Sequence, residues 1–134
     1  MTDPLRILLI DDQPLIRSGM AMLIGSQPDL VVGGEAGDGQ AAVDLVARLA
    51  ATGEAPDVLL MDIRMPGMDG LEATRRILDE HPQVTVVLLT TFDLDEYALE
   101  GIRAGASGFL LKDAEPEELL GALRTCARGD AVIA

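Results

Sequence analysis

At 134 residues and 49% hydrophobic content, the chain is long enough to bury a core as one domain and too apolar to be disordered. Aromatic content of only 2% (Phe92, Phe109 and Tyr97, with no Trp) leaves Leu, Ile, Val, Met and Ala to build that core, and makes stacking on single-stranded bases a poor fit. A net charge of −13 argues against direct contact with a nucleic-acid backbone, which takes a Lys/Arg surface.

The opening Met1-Thr2-Asp3-Pro4 has no basic segment, so no secretory signal is expected there. An apolar run predicts a first strand over 6–10, ending on Asp11 and Asp12. A helix follows from Pro14, a favourable first-turn residue, to about Gly25. The second strand, Leu30–Ala36, is the weakest, and its Gly33-Gly34 pair suits an edge position. The next helix, Gly39–Ala51, sets Ala42, Val43, Val46, Leu49 and Ala50 at helical spacing. A turn over 52–56 leads to the third strand, Val58–Asp62. The helix Gly70–Glu80 has a capping-box pair, Asp69 and Glu72, and stops before Pro82. His81, beside that proline, reads as a solvated helix-end residue. The fourth strand, over 84–90, ends on Thr90, and the helix Leu94–Ala104 repeats the capping pattern with Asp93 and Glu96. A glycine-containing turn leads to the fifth strand, Gly108–Leu111, which ends on Lys112. The last helix, over 116–129, starts behind Glu115, a poor capping type, and carries a core stripe of Leu119, Leu120, Leu123 and Ala127. Cys126 packs toward the sheet; as the single cysteine it forms no internal disulfide, which fits a reducing cytoplasm. No run approaches the ~18–20 apolar residues that span a bilayer. The expected location is cytoplasmic, without membrane contact.

Short apolar strands alternating with helices predict an α/β domain over 1–134, a doubly wound, five-stranded parallel sheet in the order 2-1-3-4-5. In a parallel sheet the residues that follow the strands share one edge, where open α/β sheets place their sites. Three carboxylates (Asp11, Asp12, Asp62), a hydroxyl (Thr90) and an ammonium (Lys112) are thereby gathered from across the chain. Each has a plain explanation alone. Asp11 and Asp12 read as a turn and helix cap, Asp62 as a turn residue, Thr90 as a strand former, and Lys112 as a snorkelling side chain. Together those explanations need every group to reach the same edge by accident. Residues 62–67 superficially match a calcium loop, but Arg64 and Pro66 stand where oxygen ligands belong, and Ala73 where the bidentate acid belongs.

Crowded carboxylates favour a divalent cation between them, and magnesium takes one or two carboxylates together with phosphate oxygens. A carboxylate can also attack phosphorus and carry the group as an aspartyl phosphate. Lys112 suits one phosphoryl oxygen and the Thr90 hydroxyl another.

The segments Ile10-Asp11-Asp12, Met61-Asp62-Ile63-Arg64-Met65-Pro66-Gly67-Met68-Asp69-Gly70, Leu89-Thr90-Thr91 and Gly105-Ala106-Ser107-Gly108-Phe109-Leu110-Leu111-Lys112 resemble, in order and spacing, the receiver domain of two-component response regulators. The resemblance covers about residues 5–129 and implies the CheY-like (βα)5 fold. It further implies that Asp62 accepts a phosphoryl group from a sensor histidine kinase. Mg2+ would be held by Asp12, Asp62 and the backbone carbonyl of Arg64, with Asp11 acting largely through water. Thr90 and Phe109 would form a switch pair, and Lys112 would contact the phosphoryl group. Residues 11–17 and 110–113 are most similar to the NarL/FixJ subgroup, whose members usually carry a C-terminal LuxR-type helix-turn-helix domain. The expectation is a receiver whose DNA-binding output domain is missing here, with a stand-alone receiver acting through protein contacts as the alternative, and a homodimer forming on phosphorylation. Two positions depart from the common pattern: Asp113 follows Lys112 where many receivers have proline, and Phe109 lacks a hydroxyl. Arg64, Thr91 and Phe92 flank the approach of an attacking water and predict a long-lived phosphoryl group.

Two other classes fit less well. A haloacid-dehalogenase-like phosphatase places a second Asp two residues after its nucleophile, where this chain has Arg64. A flavin mononucleotide carrier needs a neutral phosphate cradle where this chain has Asp11-Asp12-Gln13-Pro14. The expectation is therefore a switch rather than an enzyme, catalysing only its own phosphorylation and slow dephosphorylation.

Overall fold

The computed structural model describes residues 3–91 and 94–133, and the side chains of these except 94–97 and 133. Strands and helices alternate: β1 (Leu5–Ile10), α1 (Pro14–Gly25), β2 (Leu30–Ala36), α2 (Gly39–Ala51), β3 (Val58–Asp62), α3 (Gly70–Glu80), β4 (Thr85–Thr90), α4 (Leu94–Ala104), β5 (Gly108–Leu111), α5 (Pro116–Ala127) and β6 (Val132–Ile133). All pairings are parallel, and the sheet order is β2-β1-β3-β4-β5-β6.

The period of two in the central strands divides one sheet into two cores. Leu8, Ile10, Leu59, Met61, Val86, Leu88 and Phe109 face one side, beneath Ala42 and Val46 of α2 and Ala73 and Ile77 of α3. Ile7, Leu9, Val58, Leu60, Val87, Leu89 and Leu110 face the other, against Ile24 of α1 and Leu119, Leu120, Leu123 and Cys126 of α5. Both faces being covered, the central strands read as continuous apolar runs.

The five-strand order agrees with the sequence reading; the sheet adds a two-residue β6, too short to announce itself by periodicity. The Val132 amide donates to the Ser107 carbonyl at 2.9 Å, and Gly129, at φ 97°, turns the chain there from α5. α5 accordingly ends at Ala127, two residues before its expected end. β4 begins at Thr85, because the Val84 amide is taken by the His81 carbonyl in the preceding turn. β1 begins one residue early, its Leu5 amide bonded to the Asp29 carbonyl at 2.9 Å. β2 is the edge strand, and its register with β1 slips at Gly33, between the pairs Ile7↔Val32 and Leu8↔Gly34. Asp69 caps α3 by accepting from the Glu72 amide at 2.9 Å, as read, whereas the Asp93–Glu96 cap falls outside what the structure describes. Glu115 gives α5 no side-chain cap, as its type suggests. Among the described residues every peptide bond is trans, that between Lys112 and Asp113 included. No helix of the described residues is long and apolar enough to cross a membrane.

Candidate functional site

The register Ile10↔Met61 aligns β1 with β3, so the next residues, Asp11 and Asp62, leave the sheet side by side. Both are buried, at 2% and 5% exposure, while Asp12 is exposed. One carboxylate oxygen from each of Asp11, Asp12 and Asp62 lies within 4.8 Å of the others. β5 pairs with β4 so that Thr90 meets Leu111, and the Lys112 amide donates to the Thr90 carbonyl at 2.7 Å. That places the Lys112 ammonium 3.0 Å from Asp62 Oδ2 and 2.8 Å from Asp11 Oδ2. The five residues expected at one edge are therefore gathered there by strand register.

Charge decides the character of this edge. Three carboxylates face one ammonium, leaving a net negative pocket that favours a cation. Burial pushes the Asp62 carboxyl above the ordinary aspartate value; the hydrogen bond and charge of Lys112 oppose this, the charge of Asp11 adds to it, and the Arg64 amide opposes it. Burial works against the Lys112 ammonium too, but the paired carboxylates outweigh it and lift that group above its ordinary value. Asp11 Oδ1 accepts from the Gln13 amide at 2.9 Å. Asp11 Oδ2 is buried and ion-paired with the Lys112 ammonium at 2.8 Å. Three clustered carboxylate donors, more than the single ammonium neutralises, are hard oxygen ligands of the kind magnesium takes.

Two glycines shape the exit of β3. Gly67, at φ 75°, makes the turn after β3. A Cβ on Gly70 would stand 2.3 Å from the Asp62 carbonyl oxygen, so only glycine lets α3 begin this close to Asp62. Phe109 is buried at 2% between β5 and α4, where a Cβ on Gly101 would touch its ring at 3.0 Å. Thr90 is buried at the end of β4, and Arg64 and Thr91 are exposed. Phe92 lies outside the described residues. A cavity of about 310 Å3, lined by Gln13, Ile16, Thr91, Lys112 and Asp113, opens beside the ammonium.

Two residues of this edge escaped the sequence reading. Arg17 of α1 donates to the Asp11 carbonyl and pairs with Glu35 of β2 at 3.3 Å. Their sole signal is that Arg17 closes the 11–17 stretch; a side chain bonding a main-chain carbonyl leaves no periodicity to read.

A family model described as the response regulator receiver domain matches residues 7–124. Over 130 residues the chain is 51% identical to the transcriptional regulatory protein YxjL of Bacillus subtilis, covering 97% of this chain and 57% of that protein. It is 39% identical over 131 residues to the nitrate/nitrite response regulator protein NarL of Escherichia coli, covering 98% and 58%. The chain thus spans less than two thirds of these relatives. Among solved structures, a LuxR-family two-component response regulator from Aurantimonas sp. SI85-9A1 superposes with a TM-score of 0.89 at 33% identity, covering 97% of this chain and 89% of that one. The signal receiver domain of a NarL response regulator from Mycobacterium tuberculosis gives 0.86 at 36%, covering 96% and 99%.

Proposed function

Because this chain belongs to the response regulator receiver domain family, of the NarL/LuxR type, we propose that it is a phosphorylation-driven switch whose acceptor is Asp62. The observation that carries this is Asp62 Oδ2 at 3.0 Å from Lys112 Nζ, with the Asp11 and Asp12 carboxylates in the same cluster. In this reading Asp62 attacks the phosphorus of a sensor kinase's phosphohistidine. An oxygen–phosphorus bond forms as the phosphorus–nitrogen bond breaks, and the departing imidazole takes up a proton from solvent. Asp12, Asp62 and the backbone carbonyl of Arg64 would hold Mg2+ directly, and Asp11 through water. Bound there, the metal supplies neutralisation of the phosphoryl oxygens. Lys112 leaves its carboxylate partners to meet one phosphoryl oxygen, and the Thr90 hydroxyl donates to another.

Drawn inward, Thr90 vacates space that Phe109 then fills. With no hydroxyl on that ring, packing against Gly101 and α4 drives the move, so the readout is a reshaped α4 surface. The natural consumer of that surface is an attached transcription-regulating domain, since YxjL is a transcriptional regulatory protein and both relatives extend beyond the length matched here. DNA contact belongs to such a domain, in keeping with this chain's charge, and self-association strengthened by phosphorylation would bring two of them together. The protein transforms no other substrate: it catalyses its own phosphorylation and a slow hydrolysis. Neither Arg64 nor Phe92 offers an acceptor to orient a water, so the phosphoryl group persists for minutes to hours.

Asp62→Asn tests the assignment. With magnesium and a small phosphodonor, intact-mass measurement should show one phosphoryl group on the parent and none on the variant, with circular dichroism unchanged. Equal modification of both would overturn it. Lifetime is checked separately: Arg64→Asn combined with Phe92→Glu should speed dephosphorylation several-fold, and equal decay rates would remove that explanation.

A further inference from the structure

Arg17 stands one turn into α1, yet its side chain, 21% exposed, runs back across the helix start instead of out to solvent. Nη1 donates to the backbone carbonyl of Asp11, and Nε lies 3.3 Å from Glu35 Oε1. Glu35 precedes Ala36, the residue whose carbonyl takes the Asp11 amide at 3.1 Å. The guanidinium also passes over Gly37, where a Cβ would meet Nη1 at 3.5 Å. One planar group thus ties the acidic loop to α1 and to the end of β2.

The consequence falls on Asp12. Its exposed side chain makes no hydrogen bond or ion pair with the described residues, so the backbone alone aims it. The Asp11 carbonyl belongs to the peptide plane before Asp12, and the Gln13 amide, held by Asp11 Oδ1 at 2.9 Å, belongs to the plane after it; with both planes held, the Asp12 backbone angles and hence its Cβ direction are restrained. A competing effect has the opposite sign, because a cation beside a metal site repels the metal. Glu35 cancels that charge at 3.3 Å, and the remaining dipole lies at a partly exposed edge where solvent screens it. Geometry therefore outweighs field.

We propose that Arg17 is a positioning residue that holds Asp12 in its metal-ligating direction, with Glu35 neutralising the guanidinium. This rests on the magnesium reading above and adds to it a residue that touches neither metal nor phosphoryl group. Three variants test it, with magnesium chloride as the only probe: Arg17→Ala, Arg17→Lys and Glu35→Gln. In metal-free buffer, nitrogen-15 relaxation and amide exchange should show Asp12 and Gln13 loosened by Arg17→Ala, while the melting temperature barely moves. On titration with Mg2+, followed by amide shifts, Arg17→Ala should weaken binding about tenfold, in the range typical of residues that orient metal ligands. Arg17→Lys should recover part of the loss, since an ammonium reaches the carbonyl but does not span both partners in one plane. Glu35→Gln should weaken binding by less than Arg17→Ala, through uncancelled charge. Unchanged or tighter binding by Arg17→Ala overturns the proposal, as does an Asp12 as rigid as in the parent. A parent chain that ignores Mg2+ sinks the metal reading, and the proposal's metal role with it; the metal-free arm still separates that failure from a failure of Arg17 to hold the loop.

Discussion

Asp62 and Lys112 carry opposite commitments in the metal-free protein. The folded state holds the Asp62 proton more tightly than the unfolded chain does, so ionising this carboxyl opposes folding, and the cost is present above the folded value. Asp62→Asn should therefore raise the metal-free melting temperature by about 3–6 °C, which is ~1 kcal/mol for a domain of this size. Calorimetry decides it, and a lower melting temperature would mean that the lost Lys112 bond outweighs relieved carboxylate crowding. Lys112 has the other sign. Its folded value lies above the ordinary 10.5, so its contribution is complete below that pH and is lost as pH rises through the raised value. Lys112→Met strands two buried carboxylates and should cost about 3–5 kcal/mol at neutral pH. Denaturant melts taken into the alkaline range should show the parent losing this advantage over the variant.

The start of α3 and the end of β3 are interlocked through Gly70, whose amide donates to the Ile63 carbonyl at 2.8 Å. Gly70→Ala should cost about 1–3 kcal/mol, as overpacking does, and should slow phosphodonor reaction beyond what stability explains. Reaction rates measured well below the melting transition separate the two effects. The elements themselves were largely readable from the sequence, because each central strand is a short apolar run closed by a polar residue and each helix has an apolar stripe. The site was readable for the same reason: strand ends in a parallel sheet share an edge, so locating Asp11, Asp62, Thr90 and Lys112 on strand ends located the site. Two kinds of feature stayed hidden. β6 has two residues and no period. The clamp of Arg124 on Asp29, with Nε and Nη2 at 2.7 and 2.8 Å, joins a half-buried and an exposed residue far apart in the chain whose types are ordinary for any surface.

A chain with a net charge of −13 repels itself when folded compactly. Raising monovalent salt should screen that repulsion and raise the metal-free melting temperature, the reverse of what surface ion pairs alone would give. In a switch of the kind proposed, both conformations exist before phosphorylation, and the modification shifts their populations. Backbone shifts on phosphorylation should then extend from the strand ends to α4, where Leu99 and Ile102 are about half exposed at 53% and 51%. Shifts confined to the acidic cluster would rule out transmission through Thr90 and Phe109.

Lys112 is the sole lysine of this sequence, and its ammonium is held between two carboxylates with the side chain 10% exposed. Amine-acylating reagents therefore have one side-chain target, and it is shielded by the same groups that form the site. The speed of that single acylation becomes a built-in gauge of site occupancy, readable by mass spectrometry without any engineered label. Crosslinkers that join amines are correspondingly blind to this domain's surfaces, so any complex it forms has to be trapped through its abundant carboxylates.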